Sequence, residues 1–219
     1  MPESPPQDRN ATVLLLLAIA GCVDVVGLGE TGHYFVSYMS GNTTQLGQLL
    51  AYHDYAGALL PIGLVALFIG GATLGTLLVE AAGRRAAGVL LLVEAALLAL
   101  AWWGLGSLRP MLGVILLPVA MGIANIVTLH NGGASPGTTY ATGTLVKLGV
   151  ALAGLGRDSG GSRGRDVLRY AIMWLALLAG GMLGAIGQLR WGAAVLLVPV
   201  AALAVLGLVD LMLTGRRRV

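Results

Sequence analysis

Residues 38–51 of the chain (YMSGNTTQLGQLLA) recur in altered form at residues 140–153 (YATGTLVKLGVALA), an offset of 102 residues. Six of the fourteen aligned positions are identical, and Ser40 is matched by Thr142. Similarity at a fixed offset is the mark of an internal repeat. The identical pairs are Tyr38/Tyr140, Gly41/Gly143, Leu46/Leu148, Gly47/Gly149, Leu50/Leu152 and Ala51/Ala153.

Weaker matches flank this motif in the same order along the chain. Asp24 aligns with Asn125, and the glycine pair 70–71 aligns with the pair 180–181. The duplication therefore covers whole units, of which the motif is one part.

The composition indicates a membrane protein. Of 219 residues, 57% are hydrophobic and 11% are charged. Six apolar runs are each long enough to cross a hydrocarbon core about 30 Å thick at about 1.5 Å per helical residue. They lie at 11–29, 56–79, 86–106, 110–129, 170–189 and 191–214.

Two further segments, 41–53 and 142–155, are too short and too polar to span. Each opens with small hydroxyl, amide or glycine residues, which are preferred at helix N-termini because their oxygens accept from unpaired amides. We expect two re-entrant or broken half-helices, with non-helical backbone at 39–42 and 141–144 near the middle of the bilayer.

These features predict an all-α membrane protein whose six transmembrane helices form a 3+3 inverted repeat. Each unit holds three spans, so the second unit enters the bilayer from the opposite face. The predicted organisation is a disordered leader (1–10), repeat one (11–107) with half-helix 41–53, repeat two (108–214) with half-helix 142–155, and a basic tail (215–219).

The basic residues predict the orientation. With six crossings and the N-terminus inside, eleven Lys and Arg residues lie inside and two outside, as the positive-inside bias expects. Both termini are then cytoplasmic. The inside residues are Arg9, Arg84, Arg85, Lys147, Arg157, Arg163, Arg165, Arg169, Arg216, Arg217 and Arg218, and the outside ones are Arg109 and Arg190.

The two half-helix openings supply most of the candidate substrate-binding residues. Non-helical backbone at membrane depth is tolerated only where it is buried in protein or lines a water-filled cavity. Its polar groups must then face one another, a cavity or a ligand; the alternative is that they cap ordinary helices and bind nothing. The candidates are Ser40, Gly41, Asn42, Thr43, Thr142, Gly143 and Thr144, together with Asp24 and Asn125.

Asp24 and Glu94 are acids inside predicted spans. A charge at the bilayer centre costs about 2.5 to 3.5 kcal/mol on insertion scales, so such residues face the bundle interior and mark ion pathways. We therefore expect both to couple a proton or cation. The alternative for each is a buried hydrogen bond to a neighbouring group.

Catalysis and metal binding have no support in the sequence. His33, His53 and His130 lack metal-ligand spacing, Cys22 is the only cysteine, and no nucleophile is paired with a base. The basic residues are sparse and lack interleaved aromatics, which argues against nucleic acid. We expect no enzyme activity, cofactor or metal.

Four segments resemble the YoaK family of small multi-pass bacterial inner-membrane proteins. Residues 21–24 (GCVD), 35–43 (FVSYMSGNT), 121–125 (MGIAN) and 138–144 (TTYATGT) carry the resemblance. The family often has Thr where Ser40 stands and Gln where Ala124 stands. The resemblance implies the multi-pass fold and a bacterial inner (plasma) membrane location, and it implies no substrate because the family is uncharacterised.

The predicted function is a transporter or channel for a small polar solute, with its site between the repeats near the bilayer midplane. The lipid bilayer and the solute are the expected partners, and the many glycines on helix faces also permit a homo-oligomer. Two alternatives stay open: a substrate-binding membrane subunit that needs a partner ATPase module, and a structural membrane protein without a conduit.

Overall fold

A computed structural model describes residues 7–130, 141–155 and 162–216. Within these ranges the regular structure is helical, which confirms the predicted all-α class. Two 3-10 helices, Gly83–Arg85 and Gly192–Leu196, join α3 to α4 and α7 to α8. The α-helices are α1 (Gln7–Thr31), α2 (Met39–Ala51), α3 (Tyr55–Ala82), α4 (Ala86–Leu105), α5 (Pro110–His130), α6 (Ala141–Ala153), α7 (Ser162–Trp191) and α8 (Leu197–Arg216).

Four continuous helical stretches are long and apolar enough to cross a membrane: Ala11–Thr31, Tyr55–Leu105, Pro110–Thr128 and Ser162–Gly215. The second and fourth, of 51 and 54 residues, each contain two α-helices separated by a 3-10 helix. The four stretches therefore hold six long helices, α1, α3, α4, α5, α7 and α8. Their positions match the six predicted spans.

The chain reverses at both 3-10 helices. Gly83 and Gly192 have φ values of 54° and 58°, a conformation that is open to glycine and strained for side chains with a Cβ. As a result α3 and α4 both pack along α5, and α8 returns along α4.

Some predicted boundaries shift. Helix α1 begins at Gln7, so the last four residues of the predicted leader are helical, and α8 continues to Arg216 in the predicted tail. Helix α7 begins at Ser162, eight residues before its predicted span, and its first turns carry the exposed charges of Arg163 and Asp166. Residues 1–6, 131–140, 156–161 and 217–219 lie outside the described residues.

Helices α1 and α7 run in the same direction and approach each other through glycines. Gly180 lies against the carbonyl of Ala18, and Gly21 lies against the backbone of Leu177 and Gly181. A Cβ at either glycine would overlap backbone atoms of the other helix. Small residues at these positions therefore set the closeness of the crossing.

Helices α3 and α5 form a second crossing of the same kind. Gly71 lies against the carbonyl of Val119, and Gly122 lies against the carbonyl of Phe68. In the two crossings, Val119 follows Ala18 by 101 residues, and Gly122 follows Gly21 by the same number. Gly180 follows Gly71 by 109 residues. By these contacts Gly71 and Gly180 have corresponding places in the two crossings, whereas the sequence match of the pairs 70–71 and 180–181 puts Gly71 opposite Gly181.

The two short helices point to opposite faces of the molecule. Helix α2 ends where α3 begins, with the carboxylate of Asp54 accepting from the backbone N–H of Gly57 at 2.9 Å. Helix α6 ends beside the start of α7, where the Arg163 guanidinium donates to the Gly154 carbonyl at 2.7 Å. The start of α7 in turn lies beside the start of α1, near Val13. We call this side the N-terminal face.

The core lies between α1, α4, α5 and α8. Leu90, Leu98, Leu117, Ile123 and Leu203 are among its fully buried side chains. Helices α3 and α7 carry many exposed apolar side chains on their outer surfaces, as helices in contact with lipid do. Helix α5 is the most buried of the long helices, since α1, α3 and α4 all pack against it.

Candidate functional site

The segment between α1 and α2 folds back along α1. Backbone N–H groups of Val36 and Ser37 donate to Oδ1 of Asp24 at 2.9 and 2.7 Å, and the Ser37 hydroxyl donates to Oδ2. Asp24 lies seven residues before the end of α1 at Thr31, about 10 Å along a helix. The loop therefore returns to a level near the middle of α1.

A glycine on α1 makes room for this returning loop. Val36 is fully buried, and its side chain lies where a Cβ on Gly27 would be. Any larger residue at Gly27 would push Val36 away from α1 and lengthen the bonds to Asp24.

Helix α2 holds the other side of the loop. Asn42, which has no exposed surface, accepts from the Phe35 N–H at 2.9 Å and donates to the Phe35 carbonyl at 2.6 Å. Gln45, one turn later, donates to the His33 carbonyl at 3.1 Å. Between them, α1 and α2 supply partners for the polar backbone of the loop, which is the condition for non-helical backbone away from water.

The prediction of non-helical backbone at 39–42 and 141–144 is wrong. Helices α2 and α6 begin at Met39 and Ala141, and the described break instead lies at residues 32–38. Tyr38 is the N-cap residue of α2 and makes no side-chain capping bond. The predicted half-helix bounds, 41–53 and 142–155, correspond to Met39–Ala51 and Ala141–Ala153.

The hydroxyls inside α2 bond to their own helix. Thr43 donates to the Met39 carbonyl at 2.8 Å, and Thr44 donates to the Ser40 carbonyl at 3.0 Å. This bonding to the carbonyl four residues earlier is usual for Thr within a helix. Thr43 and Thr44 remain exposed on their outer side.

The openings of the two short helices meet through Tyr38. Its hydroxyl interacts with the side-chain hydroxyls of Ser40 and Thr142, and these interactions lower the pKa of the Tyr38 phenol. Ser40 and Thr142 are exposed and Tyr38 is half-buried, so the three hydroxyls line an accessible surface. Tyr38 was absent from the sequence candidates, although its identity with Tyr140 marked it.

The remaining candidates lie around this cluster or apart from it. Gly41 lies against the rings of Tyr38 and Phe35, where a Cβ would be 2.9 Å from Cδ1 of Tyr38. Gly143 and Thr144 are half-buried in the first turn of α6. Asn125 is buried in α5 and donates to the Met121 carbonyl at 2.7 Å, with a further interaction besides.

Glu94 differs from Asp24 in having no hydrogen-bond partner. It is fully buried in α4, and both carboxylate oxygens lack a partner among the described residues. The two acids are thus distinct in kind, since the Asp24 carboxylate accepts from a loop and the Glu94 carboxylate is unpaired.

A cavity of about 530 Å³ lies between α1, α4, α5 and α8. Its walls come from the starts of α1 and α4 and from the ends of α5 and α8, so it lies at the N-terminal face. Most of its lining is apolar, but Asp210, Thr12 and Thr128 also contribute. One carboxylate oxygen of Asp210 is buried and has no hydrogen-bond partner within residues 7–130, 141–155 and 162–216.

The described part of the chain holds no group of three or more His, Cys, Asp and Glu side chains that could bind a metal ion. The polar groups that it brings together are hydroxyls, amides and isolated carboxyls. Such groups are hydrogen-bond donors and acceptors for polar solutes.

Long apolar helices around a buried core define a multi-pass helical membrane protein. Residues 12–209 match the family described as "Protein of unknown function (DUF1275)", and the chain belongs to that family. It is similar to the UPF0700 transmembrane protein RA0705 of Rhizobium meliloti (strain 1021), with 36% identity over 195 residues that cover 87% of this chain and 83% of that protein. No solved structure is significantly similar to the chain.

Proposed function

We propose that this protein is a transporter or channel for a small polar solute, which passes between the openings of α2 and α6. The observation that carries the proposal is the interaction of the Tyr38 hydroxyl with Ser40 and Thr142, on the two short helices. These three hydroxyls contact one another and are accessible on their open side. They are the groups that a solute with hydroxyl, amino or carboxyl groups would engage.

An inverted repeat accounts for the geometry. The crossings α1–α7 and α3–α5 use glycines at matching offsets, and the two short helices point to opposite faces. Two units related by an axis in the membrane plane would have this arrangement, and transporters of that architecture bind their solutes near the midplane where the repeats meet. The YoaK resemblance is compatible with the same architecture.

The depth of the cluster supports a site near the midplane. Asp24, which fixes the loop before α2, is three residues from the middle of the span Ala11–Thr31, about 5 Å along the helix. Tyr38 follows this loop directly. Helix α2 would then be re-entrant, running from the middle of the bilayer back to the face where α3 begins.

Asp24 and Asn42 act as supports of the site in this proposal. Their polar atoms are engaged by Ser37 and Phe35, which leaves the Tyr38, Ser40 and Thr142 hydroxyls to contact the solute. The positive-inside bias favours a cytoplasmic N-terminal face in a bacterial inner membrane. No catalytic step is part of the proposal.

Reconstitution in proteoliposomes tests the proposal. A thermal-shift screen of amino acids, polyols, sugars and urea identifies solutes that stabilise the purified protein, because a ligand that binds only the folded state raises apparent stability. Radiolabelled forms of the same solutes are then measured for uptake. We expect protein-dependent uptake of at least one of them.

Variants connect the uptake to the site. Tyr38→Phe and Thr142→Ala each remove one hydroxyl of the cluster and should reduce uptake of the stabilising solute. Thr44→Ala is the matched control, since its exposed hydroxyl bonds only to its own helix. Wild-type uptake in both site variants would refute the site, and the absence of uptake for every solute in the screen would refute the function.

Purification also distinguishes this proposal from the alternative that the protein is a substrate-binding subunit that needs a partner ATPase. Gentle purification from the native membrane would yield the chain alone or as a homo-oligomer if it transports by itself. A stoichiometric ATPase that copurifies would favour the binding-subunit alternative. Uptake in liposomes that contain only this chain would exclude a need for that partner.

A further inference from the structure

The cavity at the N-terminal face stops one helical turn short of Glu94. Ala87 and Leu91 on α4 line the cavity, and Glu94 is three residues further along the same helix, about 4.5 Å. At 100° per residue, Glu94 lies within about 20° of Ala87 around the helix axis, so it is on the cavity side of α4. The cavity therefore leads toward this carboxyl group.

Glu94 is the only ionisable residue of α4, and among the residues that the structure describes no charged group lies at its depth on the helices beside it. Helix α5 carries His130 at its end, and α8 carries Asp210 and Arg216 near its end. Pairing of Gly88 with Leu211 and of Leu92 with Gly207 makes α4 and α8 antiparallel, so Asp210 lies about two turns from Glu94 toward the N-terminal face.

The other elements that pack against α4 also lack a partner for Glu94. On α3, Tyr55 and Glu80 are exposed near the helix ends, and the first 3-10 helix carries Arg84 and Arg85 at the N-terminal face. The 3-10 helix Gly192–Leu196 has no ionisable residue. An ionised Glu94 would thus be a buried charge without a partner among the described residues, which is energetically costly.

We infer that Glu94 is a proton-binding site and that the cavity between α1, α4, α5 and α8 is its route to the cytoplasm. A proton from water in the cavity binds one carboxylate oxygen and leaves a neutral acid; release returns the proton to the same water. Asp210 is the one acid among the residues that line the cavity, and its negative charge would favour a proton there. The role of this site in coupling rests on the proposed transport function.

A proton fits this site better than a metal cation does. A sodium or calcium ion needs several oxygen ligands, and neither oxygen of Glu94 has a hydrogen-bond partner in the described part of the chain. A proton needs only the carboxylate itself. Asp24 is unsuited to the same task, because three donors from the loop hold its carboxylate as an acceptor.

Modification by dicyclohexylcarbodiimide tests proton binding without any solute. This apolar reagent adds to protonated carboxyl groups in membrane proteins, and peptide mass spectrometry identifies the modified residue. In the purified protein we expect modification at Glu94 that declines as the pH is raised and is lost in Glu94→Gln. Absence of modification at Glu94 at every pH, or modification that does not change with pH, would overturn the proton site.

Single-cysteine variants test the route. The chain has one native cysteine, so Cys22→Ala gives a cysteine-free background. In that background we expect Ala87→Cys and Asp210→Cys to react with a membrane-impermeant maleimide from the cytoplasmic side only. Leu98→Cys, one turn beyond Glu94 and fully buried, is the control that should not react. Reaction of Ala87→Cys from the other side, or from neither side, would overturn the route.

These outcomes are independent of transport. If no solute is taken up but Glu94 is modified as expected, the proposed function fails and the proton site stands. If uptake is found, and a pH gradient has the same effect on uptake by Glu94→Gln as on uptake by wild type, the coupling role of Glu94 fails and the transporter stands.

Discussion

The side-chain amide of Asn42 forms two hydrogen bonds with the backbone of Phe35, donating to its carbonyl at 2.6 Å and accepting from its N–H at 2.9 Å. The amide thus replaces the backbone partner that a helix or strand would have given to Phe35. Because Asn42 has no exposed surface, water cannot take its place.

Replacement of Asn42 by Ala should destabilise the protein. It leaves a buried donor and a buried acceptor of Phe35 unpaired, which should cost about 2 to 4 kcal/mol in the free energy of unfolding. Unfolding in mixed micelles measures the change. Thr44→Ala, in the same helix, should alter the free energy by less than about 0.5 kcal/mol. Equal stability of the two variants would contradict the role of Asn42.

Asp24 variants should show whether the Asp24 carboxylate anchors the loop between α1 and α2. Asp24→Asn keeps an oxygen that accepts from Val36 and Ser37, whereas Asp24→Ala removes every acceptor. We expect amide hydrogen exchange at Val36 and Ser37 to accelerate strongly in the Ala variant and weakly in the Asn variant. If exchange in Asp24→Ala matches wild type, the carboxylate does not hold the loop.

Neighbouring glycines on α3 should respond differently to alanine. Gly71→Ala places a methyl group on the Val119 carbonyl of α5 and should cost about 1 to 3 kcal/mol, the usual range for overpacking. Gly70→Ala meets no atom within 4 Å and should be neutral or slightly stabilising. Thermal unfolding of the two variants in detergent measures the contrast. A destabilised Gly70→Ala with a stable Gly71→Ala would refute the crossing.

The phenol of Tyr38 should titrate below its ordinary pKa. The hydroxyls of Ser40 and Thr142 stabilise the ionised form, so the pKa falls, and removal of either hydroxyl should raise it toward the ordinary value. The difference in tyrosinate absorbance between wild type and Tyr38→Phe isolates this residue. An unchanged titration in Thr142→Ala would show that the openings of α2 and α6 do not meet there.

The number and position of the long helices could be predicted from the sequence, because runs of apolar residues in lipid have few alternatives to a helix. The two short helices were also predicted to within about two residues. The contacts with Val119 and Ala18 give Gly71 and Gly180 corresponding places in the two crossings, one residue away from the sequence match of glycines 70–71 with 180–181. Neighbouring glycines are alike in sequence, and only their contacts distinguish them.

The break in the helix was misplaced for a different reason. Ser, Gly, Asn and Thr residues favour helix N-termini, so the pattern pointed to residues 39–42 as the non-helical part. In the structure the Asn42 side-chain amide donates to the Phe35 carbonyl, and the Thr43 hydroxyl donates to the Met39 carbonyl. These hydrogen bonds depend on the position of α1 beside the loop. Local helix propensity cannot predict that position.

Helix α1 has its main neighbour, α7, far along the chain, and the close approach of Gly21 to the backbone of Gly181 joins residues 160 positions apart. During synthesis α1 therefore enters the bilayer long before α7 exists. Until then its glycines face lipid. The loop pinned by Asp24 can form early, because its partners are already made. The full burial of the first helix of this protein is therefore a late step of its assembly.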